Sequence, residues 1–120
     1  MGLNELTIHE LQDLIQKKEV TSTEIVTDVF RRIDAVEDRV RSFTTVLKEY
    51  AFEEAKRADD EIRRGHLRPL TGIPVALKDI HCTKGIRTTC GSRILHNFIP
   101  PYDGTVVRKL REEGAVFVGK

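Results

Sequence analysis

The apolar residues of the first forty positions recur every three or four residues, which is the spacing of one helical face. Two Thr-x-x-Glu boxes, beginning at Thr7 and at Thr21, predict the starts of two helices. The first helix is predicted to end near Lys18 and the second near Asp38. Their inward faces carry Ile8, Leu11, Leu14 and Ile15 in the first helix, and Val26, Val29, Phe30, Ile33 and Val36 in the second.

After the second helix the pattern alternates between strand-like and helical segments. Residues 43–47 are rich in β-branched side chains and predict a strand. Residues 50–64 have alanines and isoleucine at helical spacing and predict a helix that Gly65 ends. Residues 73–80 and 115–118 are almost uniformly apolar, which is typical of buried strands.

A further helix is predicted between these two buried strands, over residues 104–113, with Asp103 as its cap and Gly114 as its end. Its inward side chains are predicted to be Val106, Val107 and Leu110. Strand, helix and strand in this order imply a parallel pair with a right-handed crossover. The fold class is therefore α/β, in which a helical amino-terminal segment precedes the strands of a mixed sheet. The long connection at residues 82–101 is expected to build a site.

Composition excludes several function classes. Twenty basic and nineteen acidic residues leave a formal charge of +1, so nothing calls for nucleic acid or an anionic membrane. No segment approaches the about 20 apolar residues of a membrane span, and no secretory signal is present, which predicts a cytoplasmic protein. Cys82 and Cys90 are then expected to be free thiols. With His81 and His96 they offer zinc ligands, but their spacing is too wide for a structural site, and we predict no metal.

Lys78 is the candidate for chemistry, since it lies in the apolar segment 73–80. Strand alternation places Lys78 on one face with Ala76 and Ile80, and Asp79 on the other face. Burial would lower the pKa of a lysine and make it a usable base. The alternative is that the strand ends at Leu77 and that Lys78 and Asp79 are solvated charges at its tip. Spacing alone favours this alternative.

Four segments in order, residues 72–79, 82–92, 100–107 and 114–120, resemble the amino-terminal part of the amidase signature family. Residues 6–11 and 82–90 are similar in particular to the A subunits of glutamyl-tRNA(Gln) amidotransferases, a branch of that family. The resemblance implies a partial amidase signature fold, with residues 1–120 as the amino-terminal part of a single amidase domain. Within it, residues 1–66 would be mainly helical and residues 67–120 would begin the amidase core.

The family resemblance also implies a mechanism. Members use a Ser, cis-Ser, Lys triad, and Lys78 matches its lysine, the base. The amide substrate in the A-subunit branch is glutamine, and the released ammonia passes to a B subunit that uses ATP to convert Glu-tRNA(Gln) into Gln-tRNA(Gln). The implied partners are therefore the B and C subunits, with tRNA bound mainly by the partner subunit. No cofactor is expected in this chain.

The chain departs from the family pattern in its serines. Ser22, Ser42 and Ser92 match neither catalytic serine, and Ser92 is better explained as the cap of a helix at residues 94–97. The chain alone is therefore predicted to be inactive, because Lys78 has no nucleophile to activate. Ile80 stands where the family often carries Asn.

Two hypotheses from different classes stay open. The chain is the amino-terminal fragment of an amidotransferase A subunit or of another amidase-family hydrolase, or it is a self-standing, non-catalytic module that binds a protein partner. A reading frame that continues past Lys120 into two suitably placed serines would favour the first, and a stop codon the second. A cooperative thermal transition of the chain would also favour the second, because a sheet torn from its domain exposes apolar surface.

Overall fold

The computed structural model describes residues 2–120. Within these residues lie four α-helices: α1 (Ile8–Gln16), α2 (Ser22–Val40), α3 (Lys48–Arg63) and α4 (Thr105–Glu112). Two short strands, β1 (Pro74–Ala76) and β2 (Val116–Gly119), pair in parallel, and two 3-10 turns lie at Leu3–Glu5 and Arg93–Leu95. The α/β prediction is confirmed. None of the helices in residues 2–120 is long and apolar enough to cross a membrane.

Both predicted helix starts are confirmed, and each is a complete capping box. The Thr7 hydroxyl accepts from the Glu10 amide while the Glu10 carboxylate accepts from the Thr7 amide at 2.7 Å. Thr21 and Glu24 make the same pair of hydrogen bonds at the start of α2. These bonds satisfy amide groups that no helical carbonyl can reach, which fixes where each helix begins.

The predicted strand at residues 73–80 is wrong in its length, because β1 ends at Ala76. The register with β2 shifts between Val75 and Ala76. The Leu77 amide still donates to the Gly119 carbonyl at 3.0 Å, but the chain then turns, and the His81 amide donates to the Lys78 carbonyl at 3.1 Å. Lys78 therefore lies beyond the strand, which is the alternative that spacing favoured.

The predicted strand at residues 43–47 is also wrong, since this segment forms a single antiparallel bridge, Val46 to Gly119. The amides of Thr44 and Thr45 both point at the carbonyl of Lys120, at 2.8 and 3.4 Å. Two consecutive amides on one acceptor are incompatible with the alternating ladder of a strand. The segment thus contacts the end of β2 without extending the sheet.

The prediction that Asp103 caps α4 is wrong. Gly104 is the cap residue and no side chain bonds to the helix amides. The Asp103 carboxylate instead accepts from the Lys84 amide at 2.7 Å and from the Arg111 guanidinium at 2.9 Å. Val107 is fully buried as predicted, but Val106 is about half exposed, so the inward face is narrower than predicted.

The strand β2 is at the centre of the core, with every residue buried. Val116 and Val118 pack in one cluster with Phe30 of α2 and the alanines Ala51, Ala55 and Ala58 of α3. Phe117 packs in another cluster with Leu77, Val107 and Ala115. Because both faces of β2 are covered, its uniformly apolar sequence is explained by burial on two sides.

Gly119 ends β2 where the backbone of residues 43–45 comes closest to it. A Cβ atom built on Gly119 would lie 2.5 Å from Phe43 Cδ1 and 2.9 Å from the Thr45 carbonyl oxygen. No real side chain tolerates these distances, so only glycine fits. The absence of a side chain lets residue 120 follow directly against the segment 44–45.

Candidate functional site

Lys78 lies just beyond the carboxyl end of β1 and its side chain is exposed. The predicted alternation persists past the strand, because Ala76, Lys78 and Ile80 are exposed while Leu77 is buried. The amino group is therefore presented on an open face, and the backbone beneath it is fixed by the Leu77 and His81 hydrogen bonds. A positioned, accessible amine of this kind can serve as a base for a group placed against the face.

Asp79 points away from this face, and its hydrogen bonds connect the turn at residues 78–81 to two neighbouring segments. Its carboxylate accepts from the Thr44 hydroxyl at 2.9 Å, from the Thr89 amide at 3.2 Å and from the Thr89 hydroxyl. Its carbonyl accepts from the Cys90 amide at 2.8 Å. Burial alone would raise the pKa of Asp79, but the hydrogen bonds from Thr89 and Thr44 outweigh it and the pKa is lowered. Asp79 is thus a structural carboxylate that holds Lys78 in place.

The buried lysine of this chain is Lys120, which is only 4% exposed. Its Nζ donates to the His81 carbonyl and the Thr83 hydroxyl, both at 2.6 Å, and to the Thr88 hydroxyl at 3.1 Å. Burial lowers the pKa of Lys120, and the negative charge of Asp79 opposes part of that shift. Two lysines therefore lie at the carboxyl ends of two adjacent parallel strands, one exposed and one buried.

The sequence reasoning missed Lys120, although a signal was available. It follows a fully apolar strand, and the carboxyl ends of parallel strands meet at one edge of a sheet. The structure brings it to the same edge as Asp79 and the loop that begins at residue 81, which is the long connection expected to build a site. The buried threonines Thr83 and Thr88 of that loop supply its acceptors.

The three serines of the chain are engaged elsewhere. The Ser22 hydroxyl is buried and donates to the Gly72 carbonyl at 2.9 Å, and Ser42 bonds the Glu37 carboxylate. Ser92 is a cap as predicted, accepting from the Ile94 amide, but it caps a short 3-10 turn at Arg93–Leu95 and not a helix at residues 94–97. Within residues 2–120, none of these hydroxyls hydrogen-bonds Lys78. The site as described thus holds an amine without a nucleophile.

The cysteines and histidines of the same loop make no metal centre. Cys82 and Cys90 are both free, as predicted. Across residues 2–120, no three of the His, Cys, Asp and Glu side chains are grouped closely enough to hold a metal ion. Ile80, the other departure noted in the sequence, is about half exposed and contributes no polar atom beside Lys78.

Comparison with known proteins shows which family this arrangement comes from. The protein-family model described as Amidase matches residues 24–120. The chain belongs to the amidase family. The A subunits of the glutamyl-tRNA(Gln) amidotransferases of Syntrophus aciditrophicus and Geobacter sulfurreducens are 66% and 59% identical to it over all 120 residues. The resemblance inferred from the four sequence segments is confirmed.

Solved structures of amidases share the same fold. The native peptide amidase of Stenotrophomonas maltophilia superposes on 97% of the chain with a TM-score of 0.89 at 35% identity, which corresponds to 24% of that enzyme. The chain likewise spans 25% of the length of each of the two amidotransferase relatives. The helices, the parallel strand pair and the loop at residues 81–101 are therefore elements of a known amidase architecture.

Proposed function

We propose that the chain is the amino-terminal part of the A subunit of a glutamine-hydrolysing amidotransferase, which is cytoplasmic and formed by a longer polypeptide. Residues 1–120 would belong to one amidase domain, mainly helical over residues 1–66 and entering the amidase core at residues 67–120. The observation that carries the proposal is the similarity to amidotransferase A subunits, which extends along the whole chain. The exposed position of Lys78 on a rigid turn supports its role in the site.

In this mechanism Lys78 acts as the base of a Ser, cis-Ser, Lys triad. The neutral amine takes a proton through a bridging serine, and the second serine attacks the carbonyl carbon of glutamine. An acyl-enzyme forms, ammonia leaves, and water then releases glutamate. Both serines would come from the longer polypeptide, because the serines of this chain are occupied structurally.

The complete reaction requires partners that this chain would meet within the full-length polypeptide. The B subunit would use ATP and the ammonia to convert Glu-tRNA(Gln) into Gln-tRNA(Gln), and it would also bind most of the tRNA. The C subunit would complete the complex. No cofactor is assigned to this chain. The similarity to amidotransferase A subunits supports this assignment of partners.

The test replaces Lys78 in the full-length polypeptide assembled with its partner subunits. Lys78→Met should lower kcat for glutamine hydrolysis on the order of 10³-fold, which is the usual contribution of a general base. The control is Lys84→Met, because Lys84 is an exposed lysine of the adjacent loop and has no part in the proposed triad. Thermal unfolding should be the same for both variants.

Equal activity of the two variants would refute the role of Lys78. The purified 120-residue chain should hydrolyse no glutamine, and glutaminase activity from it would contradict the need for serines from a longer polypeptide. A full-length polypeptide that hydrolyses another amide but not glutamine would instead favour a different amidase-family hydrolase.

A further inference from the structure

Lys120 is a buried charge for which the proposed mechanism has no use. Its Nζ meets three acceptors, the His81 carbonyl and the hydroxyls of Thr83 and Thr88. Each hydroxyl donates its own proton elsewhere, Thr83 to the His81 carbonyl and Thr88 to the Ile86 carbonyl. Both hydroxyl oxygens are therefore free to accept. Three acceptors match the three N–H groups of an ammonium, whereas a neutral amine has two.

Two short paths connect Lys120 to the backbone that carries Lys78. The His81 carbonyl accepts from Lys120 Nζ, and the His81 amide closes the turn on the Lys78 carbonyl. On the other side, the Lys120 carbonyl accepts from the Thr44 amide, and the Thr44 hydroxyl donates to Asp79. Lys120 is therefore connected to both sides of the turn, through its side chain on one side and through its main-chain carbonyl on the other.

We propose that Lys120 is a positioning residue for Lys78, in which the buried ammonium fixes the turn of residues 78–81 against the loop of residues 83–88; this rests on the proposed role of Lys78 as base. A displaced turn would move the Lys78 amine relative to the bridging serine, and misplacement by about 1 Å costs on the order of 100-fold in rate.

The hydrogen bonds of Lys120 predict a local change in the turn that a general loss of stability would not produce. The charged or titratable groups around its ammonium are Asp79, Cys82, Cys90 and Asp103. Removing the ammonium leaves the His81 carbonyl without its donor from Lys120 and should loosen the turn that the His81 amide closes on the Lys78 carbonyl. The His81 amide should therefore exchange its hydrogen faster in the variant.

The experiment measures amide hydrogen exchange of the peptide that contains residues 78–81 in the full-length polypeptide, by mass spectrometry. Lys120→Gln keeps amide N–H donors but removes the charge. It should speed hydrogen exchange of the His81 amide several-fold and lower kcat for glutamine hydrolysis about tenfold, with KM unchanged. Lys84→Gln, an exposed matched control, should change neither quantity.

The outcomes separate the two proposals. Identical exchange of the His81 amide in Lys120→Gln and Lys84→Gln would overturn the positioning role. Faster exchange in Lys120→Gln, in a polypeptide that hydrolyses no glutamine, would uphold the positioning role and contradict the proposed function. If Lys120→Gln does not fold, Thr88→Val decides, because it removes the 3.1 Å acceptor and leaves Lys120 intact. It should lower kcat several-fold, and a kcat equal to that of the exposed control Thr27→Val would overturn the proposal.

Discussion

Replacing Gly119 with alanine should test whether the end of β2 sets the geometry of the site. The added Cβ would lie 2.5 Å from Phe43 Cδ1, 2.6 Å from Phe43 Cε1 and 2.9 Å from the Thr45 carbonyl oxygen. Part of this contact is with backbone, so a rotamer change of Phe43 cannot relieve all of it. The segment at residues 43–45 must move away from β2.

The cost of that movement can be worked from the contacts. Overpacking a well-packed site costs about 1–3 kcal/mol. The Lys120 amide donates to the Thr45 carbonyl at 2.8 Å, and loss of this bond adds about 1 kcal/mol. We expect Gly119→Ala to lower the free energy of unfolding by about 2–4 kcal/mol, a large part of the about 5–15 kcal/mol typical of a domain.

Urea unfolding of the full-length polypeptide followed by far-UV circular dichroism measures this loss, since the helices contribute to the signal. The control is Gly104→Ala, where the nearest atom to the added Cβ is at 3.6 Å and the expected loss is about 1 kcal/mol or less. Adding Phe43→Ala to Gly119→Ala should recover about 1–2 kcal/mol relative to the sum of the single losses. A Gly119→Ala variant no less stable than Gly104→Ala would refute the close approach at Gly119.

Two further predictions concern Asp79 and the cap of α2. The pKa of Asp79 is lowered in the folded chain from 3.8, so its stabilisation is complete above that pH and is lost as the pH falls through the folded value. Urea midpoints measured at decreasing pH should therefore drop more steeply in the wild type than in Asp79→Asn, and parallel curves would contradict this assignment. Thr21→Ala in the full-length polypeptide should lower the free energy of unfolding by about 1 kcal/mol in thermal or urea unfolding, because it opens the capping box. The exposed mid-helix Thr27→Ala is its control, and equal midpoints for the two variants would argue against the cap.

The helix starts and ends could be predicted from the sequence because the residues that determine them are local. The boxes at Thr7 and Thr21 and the stop at Gly114 each act within a few residues of the helix end they define. The strands were predicted too long, because where a strand ends depends on its partner. β1 ends where the register with β2 shifts, and residues 43–47 fail to form a strand because two of their amides share the Lys120 carbonyl.

For the same reason, only one of the two lysines of the site could be predicted from the sequence. Resemblance identified Lys78, whose odd position in an apolar segment could be seen in the sequence. The burial of Lys120 depends on Thr83 and Thr88, which are 37 and 32 residues away along the chain. Periodicity cannot report contacts of that range. A rule that inspects the residue after every buried strand would have drawn attention to Lys120.

The contact between Thr44 and Lys120 has a consequence for the order of folding. It joins residues 76 positions apart, whereas α2 and α3 are neighbours along the chain and pack against each other. Contacts of long sequence separation require closure of long loops and form slowly. We expect the helix pair to assemble early and the turn that carries Lys78 to become ordered only when the last residues of β2 have docked, so that the amine is presented only after β2 has joined the helices.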